Sequence, residues 1–394
     1  MKKIVNSKGV ETLVFAKTIE HEALEQIKKL ANFEAYENEK IRIMPDAHAG
    51  KGCTIGTTMT ITDKVTPNLV GVDIGCGMLT VKLKNKKIDF KTLDAVINTE
   101  IPSGFKVHKR SKRKFDLSNL RCKNHVDTER ADLSIGTLGG GNHFIEVSKS
   151  EKGENIYLII HSGSRKLGND TCEYYQKKAS RDANMLSKEK AKLIKRLKKE
   201  GKAKDIAAEL KKIKQLKVNK ELAFLAGDDF NDYMNDMVIV QRYASVNRET
   251  IADIILKECN LQEDERFETI HNYIDFKRMI LRKGAVSAEK GELLLIPINM
   301  RDGSLLCIGK GNESWNYSAP HGAGRLMSRS KAKRVIDIRD FKKSMGGIYS
   351  SSVGMSTLDE APQAYKSIDE IRNAITDTVN VVDVLRPLYN FKSH

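Results

Sequence analysis

Six short segments of the sequence set a histidine, aspartate or cysteine beside glycines or at the end of an apolar run. They are Met44-Pro-Asp-Ala-His-Ala-Gly-Lys-Gly52, Gly71-Val-Asp-Ile-Gly-Cys-Gly77, Gly139-Gly-Gly-Asn-His-Phe-Ile-Glu146, His161-Ser-Gly-Ser-Arg165, His271-Asn-Tyr273 and His321-Gly-Ala-Gly-Arg325. Glycine permits tight turns and close backbone approach, so a polar side chain beside it can be aimed into a cleft at a fixed angle. Asp73 and Cys76, three residues apart across a glycine turn, can face one point. A thiolate there can bridge two cations that also keep it deprotonated. His143, His161 and His271 would add imidazoles, the usual nitrogen ligands of transition metals.

For any one of these histidines alone, a hydrogen-bonded structural role is the commoner outcome. Convergence of all of them favours a metal site, and mixed Asp/Cys/His ligation suits Mn²⁺, Fe²⁺ or Zn²⁺. His321 differs, because Gly322, Ala323, Gly324 and Arg325 read as a phosphate cradle with small residues and a bidentate fork. A histidine in that setting can attack phosphorus and form a phosphoramidate. It can equally hydrogen-bond a loop, and the residues alone leave both open. Arg165 and Arg329 are further phosphate-binding candidates.

The elements that must position these groups follow from periodicity. Leu13–Phe15, Ile41–Met44, Thr57–Ile61 and Met78–Leu83 read as strands, and Tyr157–Ile160 as a buried strand running into His161. His21–Ala31 reads as an amphipathic helix, Asp170–Lys220 as helical, and Phe230–Leu256 as a further helix. Leu193 and Leu197, then Ile206, Leu210 and Ile213, fall at helical spacing around Gly201 and predict a basic helical hairpin over residues 188–220. Helices are expected to close the chain near Ile368–Leu385. The expected fold class is α+β: a single large mixed domain over residues 1–394, with a strand-rich core around a metal-containing cleft and peripheral helices.

Composition bounds the function class. Of 394 residues, 40% are hydrophobic and 30% charged, as in an ordinary globular chain. No apolar run nears the roughly 20 residues of a membrane span, and Met1–Thr18 lacks a signal-peptide pattern. A cytoplasmic protein without a membrane partner is expected. The six cysteines form no Cys-x-x-Cys pair, so free thiols are expected. The net charge of +16 suits a polyanionic partner. Lys188–Lys220 and the cluster Lys106, Lys109, Arg110, Lys112, Arg113 and Lys114 carry much of it. Such runs are more often solvated faces, so the charge permits RNA binding without establishing it. No Gly-x4-Gly-Lys-Ser/Thr run supports a Walker-type nucleotide site.

Together the segments resemble the RtcB-type 3′-phosphate/5′-hydroxyl RNA ligases. The motifs occur in that family's order from Met44 onward, joined by Arg282-Lys-Gly-Ala-Val-Ser-Ala288 and by the run from His321 to Lys333. The resemblance implies two Mn²⁺ and GTP as cofactors, and RNA with 3′-phosphate or 2′,3′-cyclic phosphate and 5′-hydroxyl ends as substrate. GTP would guanylylate His321, GMP would pass to the RNA 3′-phosphate as RNA-ppG, and the 5′-hydroxyl would displace it.

Carried over by position, one manganese falls to Cys76, His161 and His271 and the other to Asp73, Cys76 and His143. Asn142 matches a phosphate contact and Glu146 a guanine contact, while Ser304, Tyr365 and Lys392 fall where the family binds guanosine. Asp46 is the candidate for positioning or activating the 5′-hydroxyl. Asn299, in Pro297-Ile-Asn-Met-Arg301, stands where the family has a phosphate-contacting serine between glycines. These features suggest a short, divergent bacterial-type member serving RNA repair or tRNA splicing, expected to be a monomer, with an activating protein partner left open. The rival reading is a metal-dependent RNA cyclic phosphodiesterase or phosphatase without ligation. A non-catalytic RNA-binding protein is a third.

Overall fold

Antiparallel pairing of apolar strands builds the frame that carries the glycine segments. The computed structural model describes residues 2–200, 202, 205–206, 209 and 220–392. A seven-stranded sheet runs Glu263–Ile270, Gly77–Leu83, Ile156–Ser162, Phe144–Ser150, Val379–Lys392, Gly303–Gly309, Leu293–Asn299, each strand antiparallel to its neighbour. A six-stranded sheet runs Lys2–Val5, Glu11–Val14, Ile41–His48, Ile55–Thr60, Ile280–Lys283, Asn272–Asp275, with a parallel pair between its second and third strands. The fold is a mixed α/β single domain, as expected.

Alternation along the strands explains how both faces of the larger sheet are buried. Leu79, Val81, Leu158, Ile160, Ile145 and Val147 point to one face, against Leu93 and Ile97 of the helix Phe90–Glu100 and Ile251 and Ile255 of the helix Asp228–Glu258. Their neighbours Met78, Tyr157 and Ile159 point to the other, where Leu295, Leu306 and Leu385 close over them. The smaller sheet buries Ile41, Ile43 and Met59 with Ile27 and Leu30 of the helix His21–Ala31 and with Tyr175 and Tyr233.

The strand registers set the site. Ile270 pairs with Gly77, Gly77 with Ser162, and His161 with Phe144. Four neighbouring strands therefore end level with one another, and His271, Cys76, His161 and His143 all fall on that edge. The helix Asp228–Glu258 fastens the loops beyond it. Arg248, fully buried, donates to Glu268 and to the carbonyls of Gly75 and Ser162, the last two at 2.7 Å. Asn247 accepts from the backbone N–H groups of Gly136 and Thr137 and donates to Thr137 O, Ser162 Oγ and Gly163 O.

Two expectations change. The residues after Ile368 form a short helix, Ile368–Ala374, and then the strand Val379–Lys392 rather than further helices. The β-branched run Val379, Val381, Val382 and Val384 suits a strand, and Pro387 is tolerated there at a register shift between Pro387 and Tyr389. Of the hairpin over 188–220, the first arm is the end of the 35-residue helix Arg165–Lys199, which starts at the site. The second arm lies almost wholly outside the described residues.

Asn247→Ala would leave five buried partners short of a bond, at roughly 1 kcal/mol each or more. Urea denaturation of this variant should show a loss of about 3 kcal/mol or more relative to the parent protein.

Candidate metal centre and nucleotide cleft

Five lone-pair donors crowd the level strand ends. Cys76 Sγ lies 3.4 Å from His143 Nε2 and 3.3 Å from His161 Nε2, and His161 Nε2 lies 3.4 Å from His271 Nε2. Asp73 Oδ2 lies 2.9 Å from His143 Nε2. Cys76, His143 and His161 are all buried, with ligand atoms within 4.8 Å of one another. The structure brings together all five residues named as metal candidates, with Cys76 between the Asp73–His143 and His161–His271 sides.

The geometry around this cluster orients each donor. His143 Nδ1 is 2.9 Å from Leu138 O, which must accept its proton and fixes the ring. His143 Nε2 then faces the Asp73 carboxylate, a contact that needs a proton or a cation on it. Asp73 is held from behind by the Ser164 N–H at 3.1 Å. A Cβ at Gly163 would come within 2.2 Å of Asp73 Oδ1, so glycine is required there.

Burial pushes Asp73 up, but the hydrogen bond and charge of His143, aided by Arg165, outweigh it and bring its pKa down to about 2. Burial also keeps His161 and His271 neutral, the form in which imidazole binds metals. Burial, and then the Asp73 charge, raise the Cys76 thiol. Its thiolate form therefore calls for a cation beside it. The donor set fits a transition-metal centre, and its chemistry leaves the metal's identity open.

Beside the cluster opens a cleft of about 1220 Å³ whose lining includes Asp73, Cys76, His161 and His271 together with His321 and Arg325. The His271 and His321 rings are 5.0 Å apart. His321 follows the strand Ser318–Pro320, and its Nδ1 lies 2.6 Å from Oδ2 of Asp46, a carboxylate with no exposure. Asp46 sits in the strand Ile41–His48, 275 residues away in sequence. A Cβ at Gly324 would meet the Asp46 backbone at 2.5 Å, so this glycine of the cradle is what lets the two segments touch.

A family model described as tRNA-splicing ligase RtcB matches residues 26–128 and 112–393. The chain is similar to an RNA-splicing ligase RtcB1 of Escherichia coli, 30% identical over 88% of each chain, and to an RNA-splicing ligase RtcB of another Escherichia coli strain at 29% over the same shares. It is also similar to a tRNA-splicing ligase RtcB of Aeropyrum pernix, 26% identical over 84% of this chain and 82% of that one. The chain belongs to the RtcB family.

The residues matched to the family's nucleotide contacts line the same cleft: Asn142, Glu146, Ser304, Tyr365 and Lys392, with Gly322, Ala323 and Gly324. Glu146 is buried between Ser148 Oγ and Asn390 Nδ2, and burial raises its pKa to about 7. Asn299 also reaches the cleft, but its amide closes the hairpin turn. It donates to Asp302 at 2.8 Å and accepts from the N–H groups of Arg301 and Asp302.

Arg329 lines the cleft. Arg165 is not among its lining residues. Its guanidinium lies against the Gly139 backbone, donating to Thr137 Oγ1 and Gly104 O. Two residues that sequence reasoning passed over organise the cations here. Glu360 is within 3.3 Å of Arg325 and Arg329, 2.8 Å of the Tyr365 hydroxyl and 2.5 Å of Lys392 Nζ. Asp359 adds contacts to Arg329 and Lys333. Their signal, Asp359-Glu-Ala-Pro-Gln-Ala-Tyr365, lies just upstream of the tyrosine.

Removing the central thiol, in Cys76→Ala, should abolish stoichiometric retention of a divalent transition metal, measured by elemental analysis after dialysis. Gly163→Ala, which keeps every donor but displaces Asp73, should weaken metal affinity about 10- to 100-fold in calorimetric titration.

Proposed function

We propose that this chain is an RNA ligase that uses GTP and manganese to join RNA 3′-phosphate or 2′,3′-cyclic phosphate ends to 5′-hydroxyl ends, in RNA repair or tRNA splicing. The names of its relatives support the ligase class. The observation that carries the mechanism is the His321–Asp46 pair beside the donor cluster. With Nδ1–H donated to a buried carboxylate, the lone pair of His321 sits on Nε2, the atom left for attack on phosphorus.

In this reading His321 Nε2 attacks the α-phosphorus of GTP and pyrophosphate leaves, giving histidine-linked GMP. Asp46 holds the ring and stabilises the charge it gains. Water opens a cyclic phosphate end to the 3′-phosphate. An oxygen of that phosphate takes the GMP from His321, forming RNA-ppG, and the 5′-hydroxyl of the second strand displaces GMP to make the phosphodiester. Cys76, His161 and His271 would hold one manganese and Asp73, Cys76 and His143 a second, supplying charge neutralisation and alignment of attacking and leaving oxygens. Asn142, Arg325 and the Gly322–Gly324 backbone would take the guanylate phosphate, and Glu146, Ser304, Tyr365 and Lys392 the guanosine. Asp46 reaches His321 directly, which supports a role on the nucleophile besides the one expected on the 5′-hydroxyl. Arg165 and Arg329 remain the candidates for RNA phosphates, Arg165 through the Gly139 loop it holds.

The engagement of Asn299 in its own turn favours one alternative, a cyclic phosphodiesterase that works without nucleotide. RNA bearing a cyclic phosphate, followed with and without GTP, separates the two: a joined product that requires GTP supports the ligase. Incubation with labelled GTP and Mn²⁺ should label the protein covalently, and His321→Ala should remain unlabelled. Absence of label on the wild type would overturn the proposal.

Glu146 predicts a pH dependence. The N1–H and 2-amino groups of guanine are donors, so the ionised carboxylate is the receptive form. With a pKa of about 7, Glu146 is largely neutral one unit below that value and largely ionised one unit above. GTP affinity should therefore rise as pH increases through neutrality, and Glu146→Gln should flatten that rise in a titration of binding against pH.

A further inference from the structure

The loop that follows Pro102 is hydrogen-bonded to Gly139, three residues before the cleft residue Asn142, and carries groups that the ligase chemistry does not use. Phe105 is 96% exposed, yet its backbone is tied down on both sides. The Gly104 carbonyl accepts from Arg165 at 2.9 Å, the Gly104 N–H donates to Gly139 O at 2.9 Å, and the Phe105 carbonyl accepts from Arg130 at 2.6 Å. A ring on a backbone so held is kept in solvent rather than folded back onto apolar surface.

The cations of the same loop divide into two sets. Lys112, Arg113 and Lys114 reach Glu100, Glu249 and Asp132. Lys106, Lys109 and Arg110 are exposed and make no ion pair with the described residues. The loop is also continuous with the site. Ser103 bridges Gly139, and Gly139 opens the run that carries Asn142 into the cleft and His143 into the donor cluster.

An exposed aromatic ring with uncompensated cations beside it matches a single-stranded polynucleotide, whose bases stack on the ring while its phosphates meet the charges. A duplex hides its base faces, and an acidic protein surface would use the cations but not the ring. We propose that Phe105, with Lys106, Lys109 and Arg110, forms a platform on which an unpaired nucleotide of the RNA stacks as its end enters the cleft. This rests on the RNA ligase reading and names where that substrate is gripped.

The test is binding of a short labelled single-stranded RNA, and of the same strand annealed to its complement, by fluorescence anisotropy on the full chain. Phe105→Ala should weaken the single strand about tenfold while melting at the parent temperature, and Phe105→Trp should retain binding. Replacing Lys106, Lys109 and Arg110 by alanine should weaken single-strand binding and reduce its salt slope by about 2. Parent-like single-strand binding by Phe105→Ala, or an equal loss for the duplex, would overturn the platform. Labelling of the wild type by GTP reports separately on the ligase reading, since the binding comparison involves no nucleotide.

Discussion

Too many buried lone pairs and too few protons is the constraint on which the rest of this structure depends. Asp73, Cys76, His143, His161 and His271 meet within hydrogen-bond reach of one another at the ends of four paired strands. His143 Nδ1 already gives its proton to Leu138, and burial disfavours charging His161 and His271. A cation satisfies such a set better than protons do, because one charge serves several acceptors at once. The surrounding fold works to hold the donors against their mutual repulsion. The matched strand registers, Arg248 on the Gly75 and Ser162 carbonyls, and Asn247 on the flanking loops all bear on the same few backbone atoms.

Elsewhere in the cleft lining the electrostatics reverse. Arg325, Arg329 and Lys392 converge there, and Glu360 sits among them, almost fully buried. Its charge lets cations gather at close range without a ligand. A nucleotide phosphate entering this pocket meets donors already oriented, and in the proposed reaction it competes with Glu360 for them rather than ordering them anew. Preorganisation of this kind lowers the entropic cost of binding and aims charge at the reacting phosphate.

How much of this was legible in the sequence follows from the distance over which each signal acts. Cys76, His143 and His321 stood out locally, because glycine near a polar residue marks a turn that can aim it into a cleft, whereas His271 has no glycine beside it. The helix His21–Ala31 and the strand at Gly77–Leu83 were legible from periodicity. The strand Val379–Lys392 was not, since its burial alternates irregularly about a register shift at Pro387. The pairing of Asp46 with His321 was hidden for another reason. It is a contact between distant segments, and nothing near Asp46 distinguishes a carboxylate aimed at a histidine from one aimed at substrate. Asn247 and Arg248 carry no local signature at all, since an amide or a cation on a long helix reads as surface until the packing is known.

That pairing joins the two halves of the chemistry. Asp46 belongs to the smaller sheet, whereas Cys76, His143 and His161 flank or end strands of the larger one. His321 is held to the first by Asp46 and stands beside His271, a member of the donor cluster. His271 itself follows the edge strand Glu263–Ile270 of the larger sheet and precedes Asn272–Asp275 of the smaller. One histidine therefore passes the chain from sheet to sheet at the point where His321 stands beside the donor cluster. The spacing between the two rests on chain continuity through His271 and on the hydrogen bond of His321 to the buried Asp46 carboxylate. The proposed transfer of a nucleotidyl group from His321 to an RNA phosphate needs that spacing kept through successive displacements at phosphorus, and a junction of this kind is how a two-sheet fold can keep it.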